Sequence, residues 1–205
     1  MKPLFITGIG TDIGKTIVSA IMVEKLTADY WKPVQSGELD NSDTMKVRRL
    51  ISNKLTVFHP EAYRLTQPFS PHKSAELDGA EIAMDQIVLP ATTRQLIIEG
   101  AGGLMVPLNN SGDLIIDLIN KLDAEVVLVS KNYLGSINHT LLSIDALENR
   151  GIKIKILVFN GEADNYSESI IKAHFKDDMP SVVHIPHLPA MDADQVRQQA
   201  AYIEL

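Results

Sequence analysis

The chain has 205 residues, a formal net charge of −7, 45% hydrophobic and 22% charged residues, and no cysteine. That length suits a single domain, 1–205, able to bury roughly 70% of the surface its unfolded chain exposes. The acidic balance argues against a nucleic-acid surface, the missing cysteine removes disulfides, thiolate metal sites and a cysteine nucleophile, and no apolar run reaches the roughly 18 residues of a membrane span. With no basic leader ahead of an apolar stretch at the N-terminus, the expectation is a cytoplasmic protein with no membrane or nucleic-acid partner.

In chain order, Leu4 to Ile6 reads as a buried strand. A helix follows from Gly14, because Ile17, Val18, Ile21, Met22 and Leu26 recur at helical spacing. Tyr30 to Val34 reads as a second strand, with Gln35-Ser36-Gly37 as the turn after it. Asp43 begins a short helix with Val47, Leu50 and Ile51 on its apolar side, and Ser42 or Asp43 is its N-cap. Leu55 to Pro68 carries no clear pattern. Ser70-Pro71 is a start signal for a helix through Leu77, and Glu81 to Pro90 reads as another short helix. Gln95 to Ile98 is a strand delivering Glu99 to a glycine-rich turn, Gly100 to Gly103. Asp113 is the predicted cap of a helix over 114–122. Then come a strand at Val126 to Val129, a helix from Ile137 to a cap at Gly151, a strand at Ile154 to Phe159, a helix at Ser167 to Phe175, a strand at Val182 to Ile185 and a helical tail from Asp192 to Tyr202. Apolar strands alternating with helices predict a mostly parallel sheet covered on both faces, with ligands beyond the strand C-termini. The loop at Gly8 to Thr16, Lys32, Glu99, Ser130-Lys131 and Asn160 all fall there.

Between the first strand and first helix lies Gly8-Ile9-Gly10-Thr11-Asp12-Ile13-Gly14-Lys15-Thr16. In a phosphate-binding loop, glycines let successive backbone N–H groups close on phosphate oxygens, the Lys reaches the outer phosphates and the Thr hydroxyl reaches Mg²⁺. The usual spacing has four residues between the first Gly and the Gly-Lys pair; here there are five, Ile9 to Ile13, so this loop is one residue longer. Phosphoryl transfer needs a metal bridging the phosphates, and Glu99 and Asp43 are the best-placed carboxylates. Asp43 reads equally well as a plain helix cap. Lys32, at the end of a predicted central strand, needs a charged partner, which a phosphate site supplies. Trp31 is expected in the core, and His72 and His187 are expected to be structural. Lys46, Arg48 and Arg49 are expected to be a solvated helix face.

Four stretches resemble the dethiobiotin synthetase family over essentially the whole chain: the loop just given, Trp31-Lys32-Pro33-Val34-Gln35-Ser36-Gly37, Glu99 to Gly103 with Pro107-Leu108, and Leu134-Gly135-Ser136-Ile137-Asn138-His139. That family's loop carries the same extra residue. The resemblance implies a P-loop NTPase-like fold and an ATP- and Mg²⁺-dependent ring closure of 7,8-diaminononanoate with CO₂, through a carbamate that ATP phosphorylates. It implies catalytic roles for Lys15, Lys32 and Thr11, and an ATP site of Gly10, Thr11, Asp12, Ile13, Gly14, Lys15, Thr16 and Asn160, the last reading adenine. Substrate binding falls to Thr11, Lys32, Ser36, Gly102, Leu134, Gly135 and Asn138, and the metal to Thr16, Asp43 and Glu99. The 134–138 segment meets the substrate tail across a dimer interface, so the resemblance implies a homodimer. Asp12 stands where the family often has Glu, and the counterpart of the family's C-terminal substrate-contacting segment is unassigned. Two other classes share the sheet. A partitioning-type ATPase typically carries a second Lys early in the loop, where this chain has Gly8-Ile9, and the glutamine-dependent amidating ligases carry a Cys nucleophile.

Overall fold

The computed structural model describes residues 1–175, 178–188 and 190–204. A seven-stranded sheet has the spatial order β4-β2-β6-β1-β7-β8-β9, from β1 (Leu4–Gly8), β2 (Asp29–Trp31), β4 (Phe58–His59), β6 (Leu96–Gly103), β7 (Glu125–Ser130), β8 (Ile154–Asn160) and β9 (Ser181–Ile185). Every pairing in it is parallel. A separate parallel pair joins β3 (Val34–Ser36) to β5 (Tyr63–Leu65). The helices are α1 (Lys15–Leu26), α2 (Asp43–Leu50), α3 (Pro71–Leu77), α4 (Ile115–Lys121), α5 (Ser136–Glu148), α6 (Asn165–His174) and α7 (Ala193–Tyr202).

Strand side chains alternate between two cores. Phe5, Val126, Leu128, Leu157 and Phe159 point to the side covered by Ile116 and Ile119 of α4, Ile144 of α5 and Ile171 of α6. Leu4, Ile6, Val127, Val129, Ile156 and Val158 point to the side covered by Val18 and Ile21 of α1, Val47 of α2 and Val196 of α7. Both faces are thus apolar, which is why the strands read as continuous hydrophobic runs. The α/β expectation holds, with helices on both faces.

Local departures from the sequence reading have physical causes. The strand expected at Tyr30 to Val34 breaks at Lys32-Pro33: proline has no N–H to donate to a ladder, and the chain leaves the main sheet to build β3. Gln35 and Ser36 are therefore strand rather than turn, and the chain turns at Gly37 and Glu38, with φ of 71° and 51°. A Cβ at Gly37 would lie 2.7 Å from Pro68 Cα, so the position needs glycine in space as well as in φ. The unpatterned stretch from Leu55 holds β4 and β5, too short to show a period. Glu81 to Pro90 is not a helix: it forms a 3₁₀ turn at Met84–Gln86, with Ile82 and Ile87 anchored in the core. Its carbonyls are taken by side chains, Asn109 Nδ2 on Ile82 O (2.9 Å) and Lys121 Nζ on Ile87 O (3.2 Å), which replaces a helix's internal bonds. The glycine-rich turn after Glu99 is strand too, since β6 runs to Gly103, which pairs with Gly8. Gly100 makes this possible, because a Cβ there would lie 2.7 Å from Phe5 Cε1. Asp113 does not cap α4; it accepts from Asn109 Nδ2 (2.7 Å), while Asp117 accepts from Leu114 N–H (3.0 Å).

Asp29 fastens the sheet edge. Its carboxylate accepts from Val57 N–H (2.9 Å), Thr92 Oγ1 (2.5 Å) and Arg94 Nη1 (3.3 Å). Burial by itself raises its pKa, but these donors outweigh burial and hold it below the ordinary 3.8. A depressed carboxylate pKa stabilises the fold above the unfolded value and loses that contribution as pH falls through the folded one. Asp29→Asn is therefore expected to lower the melting temperature at pH 7 and to make the loss of stability between pH 5 and 2 shallower, as read by thermal melts across that range; equal acid slopes in both proteins would refute it.

Candidate active site

The loop between β1 and α1 turns over Ile13. That side chain is buried beneath the strand end, where a Cβ on Gly8 would collide with its Cδ1 at 1.9 Å. Two loop residues are left-handed, Asp12 with φ of 56° and Gly14 with φ of 94°. Asp is among the few non-glycine residues that accept this region. Gly14 also sits against Asn160, since a Cβ would lie 2.1 Å from its Nδ2, and that amide donates to Ile13 O at 2.8 Å. The end of β8 thereby clamps the loop. Lys15 Nζ folds back onto Gly10 O (2.8 Å). Burial pushes the Lys15 pKa down and Lys32 adds to this; Glu99, Asp43 and Asp12 pull it back without cancelling the shift.

Beyond the loop a chain of alternating charge crosses the strand ends. Glu99, in the middle of β6, accepts from Thr16 Oγ1 on Oε1 (2.9 Å) and from Tyr30 Oη on Oε2 (2.9 Å). Lys32 Nζ lies 3.3 Å from Glu99 Oε1 and 2.7 Å from Asp43 Oδ2, and the Lys32 and Glu99 side chains are only 5% and 1% exposed. Asp43 Oδ1 meets Lys46 Nζ at 3.3 Å, and Lys46 Nζ reaches Glu38 Oε2 at 2.5 Å. Burial drives the Lys32 pKa down, but the two carboxylates more than offset it and hold the ammonium above its ordinary value. Burial likewise raises Asp43, and Lys32 and Lys46 bring it below the carboxylate norm. Tyr30 is pushed well up, first by burial and then by Glu99, so it stays a hydrogen-bond donor.

These groups open on a cleft of about 790 Å³. It is lined by Thr11, Asp12, Gly14, Lys15, Thr16, Lys32, Ser36, Asp43, Glu99 and Gly102 among the residues expected at the site. Gly10 and Ile13 shape the loop from behind. Asn160 stands at the loop's other side. Leu134, Gly135 and Asn138 do not line the cleft; they lie at the exposed start of α5, with Gly135 at φ of 99° as its N-cap. Asp43 is the first residue of α2 rather than its cap, Ser42 Oγ accepting from Met45 N–H at 3.4 Å. Trp31 is in the core, its Nε1 donating to Pro60 O at 2.9 Å. Sequence reasoning missed Tyr30, Gln35, Glu38, Lys46 and Phe69. Gln35 is the most consequential: buried on β3, it accepts from Asp43 N–H (3.2 Å) and donates to Gly37 O (2.9 Å), fixing the start of α2. Its place in a presumed turn hid it, whereas Lys46, one helical turn after Asp43, was visible in the spacing.

A protein-family profile described as an AAA domain matches residues 2–195. The ATP-dependent dethiobiotin synthetase of Christiangramia forsetii is 56% identical over 171 residues, 83% of this chain and 82% of that protein. The chain belongs to the dethiobiotin synthetase family. Its relatives of the same name in Cytophaga hutchinsonii and Rhodopseudomonas palustris are 53% and 43% identical, over 85% and 96% of this chain and 84% and 92% of theirs. Among solved structures, a ParA family ATPase from Chlorobium tepidum covers 99% of both chains with a TM-score of 0.58 and 12% identity. A plasmid partition protein of Borrelia burgdorferi, bound to AMPPNP, has a TM-score of 0.56 at 9% identity, covering 97% of this chain and 98% of that one. At such identities the likeness is one of fold, the P-loop ATPase sheet that this dethiobiotin synthetase family member shares.

Removing one member of a buried ion group leaves its partner uncompensated. Lys32→Met is expected to lower unfolding stability by roughly 3 kcal/mol in urea titration. Adding Glu99→Gln should cost less than the sum of the single changes, and strict additivity would show the pair to be uncoupled.

Proposed function

We propose that this chain is an ATP-dependent cyclo-ligase that closes 7,8-diaminononanoate with CO₂ to dethiobiotin, a step of biotin biosynthesis, releasing ADP and phosphate. One observation carries the reading: in a chain of this family, the loop lysine, the buried Lys32 and Glu99 and the half-buried Asp43 share a single cleft. One substrate amine adds to CO₂ and loses a proton to give a carbamate. A carbamate oxygen attacks the γ-phosphorus, ADP leaves, and a carbamic-phosphoric anhydride results. The second amine then attacks the carbamate carbon, phosphate departs and the cyclic urea closes. Phosphorylation is needed because a carbamate oxygen is otherwise a poor leaving group, so the protein's task is positioning and charge neutralisation.

In this reading the backbone N–H groups of Gly10 to Thr16 cradle the phosphates and Lys15 exchanges Gly10 O for a phosphate oxygen. Thr11, Lys32, Ser36 and Gly102 receive the carbamate end of the substrate. Ser36 Oγ supports this, being buried at the cleft without a hydrogen-bond partner among the described residues. Asn160 keeps one amide hydrogen on the loop and offers its oxygen to adenine. Thr16, Asp43 and Glu99 fit a hard divalent cation: all three offer oxygen, Thr16 Oγ1 is 2.9 Å from Glu99 Oε1, and Asp43 and Glu99 already share one ammonium. Mg²⁺ held there would offset the charge of the β- and γ-phosphates. Lys32, released from those carboxylates, becomes available to the carbamate.

The substrate's carboxylate tail falls to Leu134, Gly135 and Asn138 of a second copy, which makes the enzyme a homodimer with shared sites. The exposure of Leu134 and of Leu142 on α5 supports an interface there. In this reading the dimer acts on small molecules in the cytoplasm, with no nucleic-acid or membrane partner.

ADP release with Mg²⁺ATP and bicarbonate should appear only when 7,8-diaminononanoate is added, with a product of cyclic-urea mass; diamine-independent hydrolysis would overturn the ligase reading. Lys15→Ala should abolish that release, and Lys32→Ala should lower turnover far more than it weakens ATP binding. Mixing inactive Lys15→Ala with inactive Asn138→Ala should restore about a quarter of wild-type activity, because half of the dimers are mixed and each of those keeps one intact site. No recovery in a verified mixed dimer would mean that the sites are not shared.

A further inference from the structure

A second concavity of about 460 Å³ lies against the outer side of α2, away from the cleft that Asp43 faces. Two elements bring three arginines to it: Arg48 and Arg49 from α2 and Arg64 from β5. These are three of the six arginines in a chain whose net charge is −7. The one carboxylate lining it, Glu61, is buried and already committed, accepting from Thr44 Oγ1 at 2.6 Å and pairing with Arg64 Nη1 at 3.1 Å. Arg48 is held with its guanidinium 4.7 Å from the centroid of the Phe58 ring, and neither it nor Arg49 forms an ion pair among the described residues. Arg49 donates instead to the neutral Asn41 Oδ1. The pocket therefore carries two guanidinium charges more than its own acid neutralises.

A solvated helix face, the reading the sequence suggested for Arg48 and Arg49, presents its charges outward and apart. Here the third arginine comes from a strand, β5, rather than from the helix, a ring stiffens one fork, and all three rim an indentation large enough for a small molecule. Guanidinium forks match the paired oxygens of a tetrahedral oxyanion and bind it through two N–H groups each, which an ammonium cannot do.

We propose that this pocket is a binding site for a small dianionic phosphate, either free phosphate or a phosphomonoester, separate from the phosphate-binding loop. It shares α2 with the cleft: Thr44, which holds Glu61, follows Asp43 directly, and Arg64 is the strand partner of Gln35, which bonds Asp43 N–H. The proposal does not rest on the ligase reading, because Lys15→Ala disables the loop and leaves this pocket intact.

The test is calorimetric titration at constant ionic strength with two probes, inorganic phosphate and phenyl phosphate. Binding should survive in Lys15→Ala and weaken at least tenfold in Arg48→Ala/Arg64→Ala. Arg48→Gln, which spares the Arg64–Glu61 pair and so the local fold, should weaken it by itself, and Arg48→Lys/Arg64→Lys should not restore it because the charge returns without the forks. Tighter binding of phenyl phosphate assigns the site to a phosphomonoester, and equal binding assigns it to the free ion. Binding lost in Lys15→Ala alone, binding indifferent to the arginines in folded variants, or no binding up to about 20 mM, the millimolar limit of weak recognition, would overturn the proposal.

Discussion

A buried lysine ammonium held between a buried carboxylate and one at the cleft edge sets the terms for everything around the cleft. Taking such charges out of water costs several kcal/mol each, and only close, hydrogen-bonded opposite charges return it. Lys32 between Glu99 and Asp43 meets that condition, with Thr16 and Tyr30 filling the remaining acceptor sites of Glu99. The arrangement also dictates the backbone. Lys32 reaches Glu99 because Trp31 pairs with Ile98 in adjacent strands, and it reaches Asp43 because Gln35 draws the first turn of α2 against β3. A displacement of either strand would leave a charge buried and alone.

Close approach of the backbone at the same end of the sheet serves a complementary purpose. Gly8, Gly100 and Gly14 each sit where a side chain would strike Ile13, Phe5 or Asn160. These contacts let β1, β6 and the loop meet without a layer of side chains between them. The oxygen and nitrogen groups of the cleft are therefore carried by rigid strand ends and a helix start rather than by long mobile loops, which favours a site whose work is alignment.

Much of this was legible in the chain itself. The alternation of apolar strands with helices gave the layered sheet, because burial on both faces leaves an unbroken hydrophobic signature. Gly14-Lys15-Thr16, Lys32, Asp43 and Glu99 were each recognisable from position at a strand or helix end. What could not be read lay where the determining interactions are distant in sequence. The segment 81–90 has helical composition, yet Asn109 and Lys121 take its carbonyls and two isoleucines pin it to the core. Gln35 and Tyr30 look ordinary until Asp43 and Glu99 are folded against them. The two-residue and three-residue strands β4 and β5 carry no period at all. Arg64 and Phe58 join Arg48 only through tertiary contact, so the second pocket had no linear signature either.

The proline after Lys32 has a thermodynamic corollary. By ejecting the chain from the main sheet it leaves β3 and β5 as a two-stranded pair, a size that is marginal by itself and depends on what packs against it. That pair carries Gln35 and Ser36 on one strand and Arg64 on the other, so a thin partition divides the cleft from the arginine pocket. Its backbone amides belong to a unit with fewer neighbours than β1 or β7, and exchange with solvent water should run fastest there among the sheet amides. A ligand seated on either side would draw on the same small reservoir of local stability and slow that exchange, leaving the opposite side a partition already stiffened.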